Sequence, residues 1–389
     1  MSMYIYARIK YNLGDCNMRF IKKSEVKEGM RLAKPIYNNE GVLLYGRGTI
    51  VNDMVMHHIN NMTAYGFYIL DPTEPLPDTT EEEMEFERFQ IVGCYTIRND
   101  LMKIFDGEDT DAMENLVNQI VDRYGSLPSK ISFIQSIRNP DDFVYKHCLN
   151  VAILCAMISH KLGVDKKEQY YIVRSALYHD IGKIIAPSEI INKPDSLTRE
   201  ELHTVRRAEI EGFDMVKNCF KMPSGVKRYI TQLRNELTNK MPSFPKQQQT
   251  LLLGTKIIQI ADMYDILTAM RVYKEPTSEF AAIKHLTDHD SEFDSRIVSA
   301  LISSINILPP GCCVELTNGE KGLVLAESEY YALRPTVLAF KTNTIYDLSN
   351  KKTYEQIKIK DILKTMDNRF QMTKPADLNK MAENAVTSE

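Results

Sequence analysis

The chain predicts a mainly α-helical fold, with a small β-rich unit before the helices and a small β appendage after them. Three observations carry this. Apolar residues recur at helical spacing through residues 140–305, as in Phe143, His147, Val151, Leu154 and Ile158. Short β-prone runs and glycine turns fill the stretch before Pro72. Beyond Leu308-Pro309-Pro310-Gly311 the pattern returns to strands around Asn318-Gly319, a strong hairpin turn.

In chain order, Glu28-Gly29-Met30 and Asn39-Glu40-Gly41 read as turns, with glycine supplying positive φ. Val42-Leu43-Leu44-Tyr45 and Phe67-Tyr68-Ile69-Leu70 read as strands, and Asn52 caps a helix between them. Asp71 to Thr80 is rich in Pro, Asp and Thr, hence a linker. Thr80-Glu81-Glu82-Glu83 opens a helix, with carboxylates at its positive end, and a break falls near Gly107-Glu108-Asp109. The helices of 80–135 could pair with a second copy, giving a homodimer, or pack on their own domain.

Ile172 to Tyr178 forms a helix, and Pro187 and Pro194 punctuate the loop beyond it. Thr198-Arg199-Glu200-Glu201 is a capping box. Gln249 to Met270 reads as a long helix with Leu252, Ile257, Ile260, Met263, Ile266 and Leu267 on its core face. Val314 to Phe340 reads as strands, Asp361 to Asp367 as a last short helix, and the rest as a polar tail. The predicted units are 18–75 (β-rich N-terminal domain), 76–139 (helical connector), 140–305 (helical domain), 306–365 (β appendage) and 366–389 (tail).

With 389 residues, 43% of them hydrophobic, 26% charged and a net charge of −4, the composition is globular and excludes a largely disordered chain. No cationic run recruits nucleic acid. Seven scattered cysteines, an odd number without a C-x-x-C pair, predict a reduced cytoplasmic protein. Cys148 and Cys155 share a helix face as core residues, and Cys312-Cys313 reads as a strand edge. No run of ~18 consecutive apolar residues predicts a membrane span, and the N-terminus does not read as a signal peptide. Residues 1–17 read as an extension before a folded start at Met18-Arg19-Phe20.

The chemistry centres on Ala176-Leu177-Tyr178-His179-Asp180-Ile181-Gly182-Lys183. An imidazole nitrogen and a hard carboxylate oxygen together suit a divalent cation. His147 on the preceding helix and Asp262 in Ile260-Ala261-Asp262-Met263-Tyr264-Asp265 are further polar residues beside apolar core positions. Burial without partners would cost each a few kcal/mol. Convergence of His147, His179, Asp180 and Asp262 on one metal would satisfy all four. Asp265 reads as a helix-surface residue or a support for a ligand, not a ligand. Arg206-Arg207 reads as a solvated helix face.

This constellation resembles the HD superfamily of metal-dependent phosphohydrolases, and over a longer stretch its HD-GYP branch, bacterial phosphodiesterases of cyclic di-GMP. His147-Cys148-Leu149-Asn150-Val151-Ala152 is similar to the first-ligand helix of that group. His179-Asp180-Ile181-Gly182-Lys183 matches its signature. Glu189-Ile190-Ile191-Asn192-Lys193-Pro194 with Leu197-Thr198, and Ile260-Ala261-Asp262 with Arg271, Tyr273 and Lys274, resemble its loop and last-ligand helix. The resemblance covers roughly 18–360, including both β segments. It implies an HD-domain helical bundle, metal ligands His147, His179, Asp180 and Asp262, and catalytic roles for Asp180 and for Lys183 as a phosphate contact.

The departures imply a reduced site. Ala208 stands where active members carry a histidine, Leu233 and Arg234 replace a His-His pair, and Thr238 to Pro245 replaces the Gly-Tyr-Pro loop. His203 and His285 are spare histidines that match no family position. One divalent cation per chain, iron or manganese, is therefore expected. Two function classes follow: a diverged phosphodiesterase or phosphohydrolase of cyclic dinucleotide signalling with reduced activity, or an inactive module that binds cyclic di-GMP, a related nucleotide or a signalling protein partner.

Overall fold

The computed structural model describes residues 19–38, 42–62, 66–70, 81–108, 112–131, 133, 143–191, 193, 196–242, 244–246, 248–269, 277–288 and 292–363. The predicted 71–80 linker, the polar tail, residues 1–17 and the segment with Arg271, Tyr273 and Lys274 lie outside them. The described chain is mainly α-helical, with small sheets at each end.

Strands β1 (Arg19–Lys22), β2 (Arg31–Leu32) and β5 (Gly66–Leu70) form an antiparallel sheet in the order β1-β5-β2. β3 (Ile36–Tyr37) and β4 (Leu43–Tyr45) pair separately. Helix α1 (Asp53–Asn61) is capped as expected: the Val55 amide donates to Asn52 Oδ1 at 3.0 Å. Val26, Leu32, Val51, Ile59 and Ile69 make a core of their own. Lys34 and Arg47 approach Glu87 on the next helix at 3.5 and 3.9 Å.

Helices α2 (Glu81–Phe105) and α3 (Ala112–Tyr124) bury Ile97, Leu101, Val117 and Ile120 against helix α4 (Phe143–Lys161) of the same chain. α4 is the hub, buried continuously from His147 to Ser159. A helix apolar on every side has to be surrounded, and helices cover α4 all round. By length and composition α4 could cross a membrane, but 78% of that window is buried inside the protein. Around it lie α5 (Lys166–Tyr178), α6 (Gly182–Ile185), α7 (Ser188–Ile191), α8 (Arg199–Asn218), α9 (Ser224–Asn239), α10 (Leu253–Thr268), α11 (Glu279–Asp288) and α12 (Ser295–Ile302).

Thr198 and Glu201 make the predicted reciprocal cap on α8, at 3.2 and 2.8 Å. Helix α10 starts later than Gln249, because Gln232 Oε1 accepts from the Leu252 amide at 3.0 Å and from the Thr255 hydroxyl at 2.6 Å. Its buried face runs through Ile257, Ile258, Ala261, Tyr264 and Asp265, leaving Met263, Ile266 and Leu267 only half-buried.

The C-terminal sheet runs β10-β6-β7-β8-β9: β6 (Cys313–Leu316), β7 (Lys321–Ala326), β8 (Thr336–Ala339), β9 (Thr344–Asp347) and β10 (Ile359–Ile362). The Asn318-Gly319 turn joins β6 to β7, with Gly319 at φ +81°. At the start of the last short helix expected over Asp361 to Asp367, Asp361 and Ile362 belong instead to strand β10, because hydrogen bonding to β6 overrides the local pattern; residues 364–367 lie outside the described residues. A helix, α13 (Lys351–Gln356), precedes it under an Asn350 cap. Cys313 opens an interior strand, not an edge.

One backbone crossing places the signature turn. A Cβ at Gly212 would meet Gly182 N at 2.6 Å and Gly182 Cα at 2.7 Å; one at Gly182 would meet Ala208 O at 2.3 Å. Only glycine lets α8 and α6 approach this closely. Gly212→Ala should therefore destabilise by about 1–3 kcal/mol in urea unfolding. Gly46→Ala, with nothing within 4 Å, should stay within about 0.5 kcal/mol. Equal midpoints for the two variants would contradict the crossing.

Candidate metal centre

Three elements supply the site. α4 presents His147. α5, capped by Asp165, ends at Tyr178, and His179 and Asp180 form the turn beyond it. The Lys183 amide bonds back to Asp180 O at 2.9 Å as α6 begins. α10 presents Asp262 and Asp265 one turn apart on the side facing α4.

All four predicted ligands meet. His147 Nε2 lies 3.1 Å from His179 Nε2, 3.2 Å from Asp180 Oδ2 and 3.1 Å from Asp262 Oδ1. His179 Nε2 lies 3.6 Å from Asp262 Oδ1 and 3.8 Å from Asp180 Oδ1. His147 is wholly buried and Asp180 nearly so, while the Asp262 side chain is 33% exposed at the mouth.

The hydrogen bonds behind the rings fix the chemistry in front of them. His147 Nδ1 faces Asp265 Oδ2 at 2.6 Å, and His179 Nδ1 faces the Ala176 carbonyl at 2.7 Å. Both partners only accept, so each Nδ1 carries the proton, and each neutral ring turns a lone pair at Nε2 into the cup. Two imidazole lone pairs and two carboxylate oxygens then converge. Asp262 Oδ1 is enclosed yet receives no aligned hydrogen bond. Atoms about 2.1 Å from a shared ion sit roughly 3–3.5 Å apart; His147 Nε2 has that spacing to His179, Asp180 and Asp262, and His147, His179 and Asp180 together form a group that could hold an ion. The residues fit a divalent cation.

Without a cation, protons must take its place. Burial disfavours the His147 imidazolium, but the carboxylates of Asp180, Asp262 and Asp265 outweigh burial and push the ring up to about 10. His179 is raised in the same way, chiefly by Asp180 against burial. Burial favours neutral Asp180, yet Lys183 and His179 hold it well below the carboxylate range. Burial opposes ionised Asp262 as well, and the two imidazoles pull it down.

Lys183 Nζ donates to Asp180 Oδ2 and lies 3.9 Å from Glu209 Oε1. Burial works against its charge, but Asp180 and Glu209 keep it an ammonium. Burial pushes the Glu209 carboxyl up to about 7, opposed by Lys183 and reinforced by Asp180 and Asp262.

Glu209 and Asn150 are site neighbours that sequence reasoning missed. Asn150 Nδ2 donates to Asp265 Oδ1 at 3.1 Å. Its position one turn from His147 was the available signal. Of the two roles open for Asp265, the helix-surface one is excluded, because the residue is fully buried and bonds to His147. Ala208 is buried at the α6–α8 crossing. Leu233 packs on the core, and Arg234 forks onto Asp214 at 2.7 and 2.9 Å. His203 is exposed on α8 and His285 is half-buried on α11. Arg206 is half-buried, and Arg207 is exposed.

Residues 121–297 match the family model of the HD domain. That stretch is similar to the HD domain, and the relatives the chain resembles are named as phosphodiesterases of cyclic dinucleotides. It is 26% identical over 232 residues to a cyclic di-GMP phosphodiesterase of Pseudomonas aeruginosa, covering 60% of this chain and 56% of that one. Identity to the cyclic di-GMP phosphodiesterase PdeB of Borreliella burgdorferi is 24% over 217 residues, 54% of this chain and 56% of that one. A 3′3′-cGAMP-specific phosphodiesterase of Vibrio cholerae matches at 25% over 159 residues, 40% and 30% of the two chains. The chain spans about half the length, or less, of these relatives. A solved structure, an HD-GYP-type protein from Bdellovibrio bacteriovorus, aligns over 73% of this chain and 98% of that one, at 16% identity and a TM-score of 0.42.

A pH dependence follows for the chelator-treated protein. His147 is held near 10 when folded, against about 6.5 unfolded. Its charged pairing thus contributes stability fully below about pH 6.5, and loses it as pH rises through 10. The melting temperature should fall between pH 7 and 9.5, and His147→Gln should flatten that fall. A flat wild-type profile in thermal unfolding would contradict the raised imidazole.

Proposed function

We propose that this chain is a cytoplasmic, metal-dependent phosphohydrolase of cyclic dinucleotide signalling, acting on cyclic di-GMP or a close relative through one divalent cation. The convergence of His147 Nε2, His179 Nε2, Asp180 Oδ2 and Asp262 Oδ1 carries this reading. Iron or manganese suits two imidazoles and two carboxylates. When bound, such a cation acidifies a water and draws charge from phosphoryl oxygen.

The chain's own residues do the rest. Asp265 and Ala176 O hold the two rings in one tautomer. Asp180 stays anionic beside Lys183, whose ammonium is placed to meet phosphate charge. Glu209, with a carboxyl near neutrality, can hold or release a proton at Oε1. The described cysteines are free thiols, in keeping with a reducing compartment.

Reduced turnover goes with Ala208, Leu233 and Arg234. None offers a ligand for a second ion, so the two-metal clamp on attacking and leaving oxygens is missing. The Arg234–Asp214 pair, standing where relatives are expected to carry a histidine, favours a second reading: a module that binds nucleotide or a signalling partner without cleaving it.

Anaerobically purified protein should hold about one iron or manganese per chain and hydrolyse cyclic di-GMP slowly. Asp180→Ala should weaken metal binding by more than about 100-fold, beyond the loss typical of an outer partner, and abolish turnover. Neither metal nor turnover would overturn the proposal. Two tightly held ions would contradict the single site, and metal without turnover would select the binding module.

A further inference from the structure

Helix α2 lies outside the 121–297 stretch that matches the HD family model, yet it reaches the metal centre from behind. Gln90, 7% exposed, donates from Nε2 to Asn150 Oδ1 at 3.1 Å. Asn150 donates to Asp265 Oδ1 at 3.1 Å, and His147 Nδ1 meets the other oxygen of Asp265 at 2.6 Å. Three turns along α2, buried Asp100 accepts from the Tyr178 hydroxyl at 3.1 Å, next to His179. The same helix therefore bonds to Asn150, behind His147, and to Tyr178, the chain neighbour of His179.

The chain of bonds has one polarity. The Asp265 carboxylate can only accept, so Asn150 must turn its NH2 group toward it. That leaves Asn150 Oδ1 facing α2, and only a donor there satisfies it. Gln90 supplies the donor. Burial of all three groups makes each unmet bond costly, so the orientation of one sets the next.

We propose that Gln90 is a positioning residue of the metal centre: through Asn150 and Asp265 it holds His147 in the Nδ1–H tautomer with Nε2 aimed at the cation. This rests on the metal reading above. Outer partners of a ligating histidine set both ring orientation and basicity, and their loss weakens metal binding. The role also explains a buried glutamine on a helix that turns Ile97, Leu101 and Ile104 inward.

The test is calorimetric titration of Mn²⁺ into the full chain. Gln90→Met, which keeps the volume but removes the donor, should weaken binding about 10-fold. Gln90→Glu has the native shape with the wrong polarity, since it offers only acceptors to Asn150 Oδ1, and should weaken binding more. In a chain already carrying Asp265→Asn, Gln90→Met should change affinity by less than about 2-fold, because the route is already cut. A packing role alone would add equally in both backgrounds. Should Gln90→Met fail to fold, Gln90→Glu is compared with the core change Ile97→Val on the same helix, which leaves the bonds to Asp265 intact: the first must lose affinity and the second must not. Wild-type affinity in Gln90→Met and Gln90→Glu would overturn the role of Gln90 alone. A wild-type chain that takes up no Mn²⁺ would overturn the metal reading, and this one with it.

Discussion

The bond between His147 Nδ1 and Asp265 Oδ2 is the contact on which the centre depends. It lies between two fully buried side chains on neighbouring helices. It decides which nitrogen of His147 carries a proton, and so which one can face a cation. Without it the ring could turn, and Asp265 would be a buried carboxylate with one donor fewer. The apolar bulk of α4 serves the same end. A helix enclosed from His147 to Ser159 has no freedom to rotate its histidine out of the cup.

The second constraint is steric. Asp180 and Lys183 lie on a turn whose position is set by the contact of Gly182 with α8. The same contact brings Glu209 beside Lys183. A run of alternating charge results: anionic Asp180, cationic Lys183, and Glu209 pushed toward neutrality by burial. Local electrostatics thus follow from how closely two backbones approach. Enclosure accounts for the large shifts as well, since each charge is kept by its neighbours against the cost of burial.

Much of this was legible in the sequence. His147, His179, Asp180 and Asp262 are rare polar residues among apolar neighbours, and that contrast marks them without coordinates. The caps at Asn52 and Thr198 and the Asn318-Gly319 turn are local chemistry and were read correctly. What escaped was set by contacts distant along the chain. Asp265 could not be told from a surface residue until α4 covered it. Glu209 is an ordinary helix glutamate until the Gly182–Gly212 crossing lays it beside Lys183. Strand β10 looked helical because its pairing with β6 lies more than forty residues away in sequence. The start of α10 depends on Gln232, contributed by another helix.

The central claim is that His147 and His179 turn Nε2 lone pairs, with Asp180 and Asp262, onto one cation. The most direct measurement is an anomalous difference map from a crystal of the full chain grown with Mn²⁺. A single peak is expected in the cup, about 2.0–2.2 Å from His147 Nε2, His179 Nε2 and an oxygen each of Asp180 and Asp262. No peak, a second peak of comparable height, or a histidine bound through Nδ1 would contradict it.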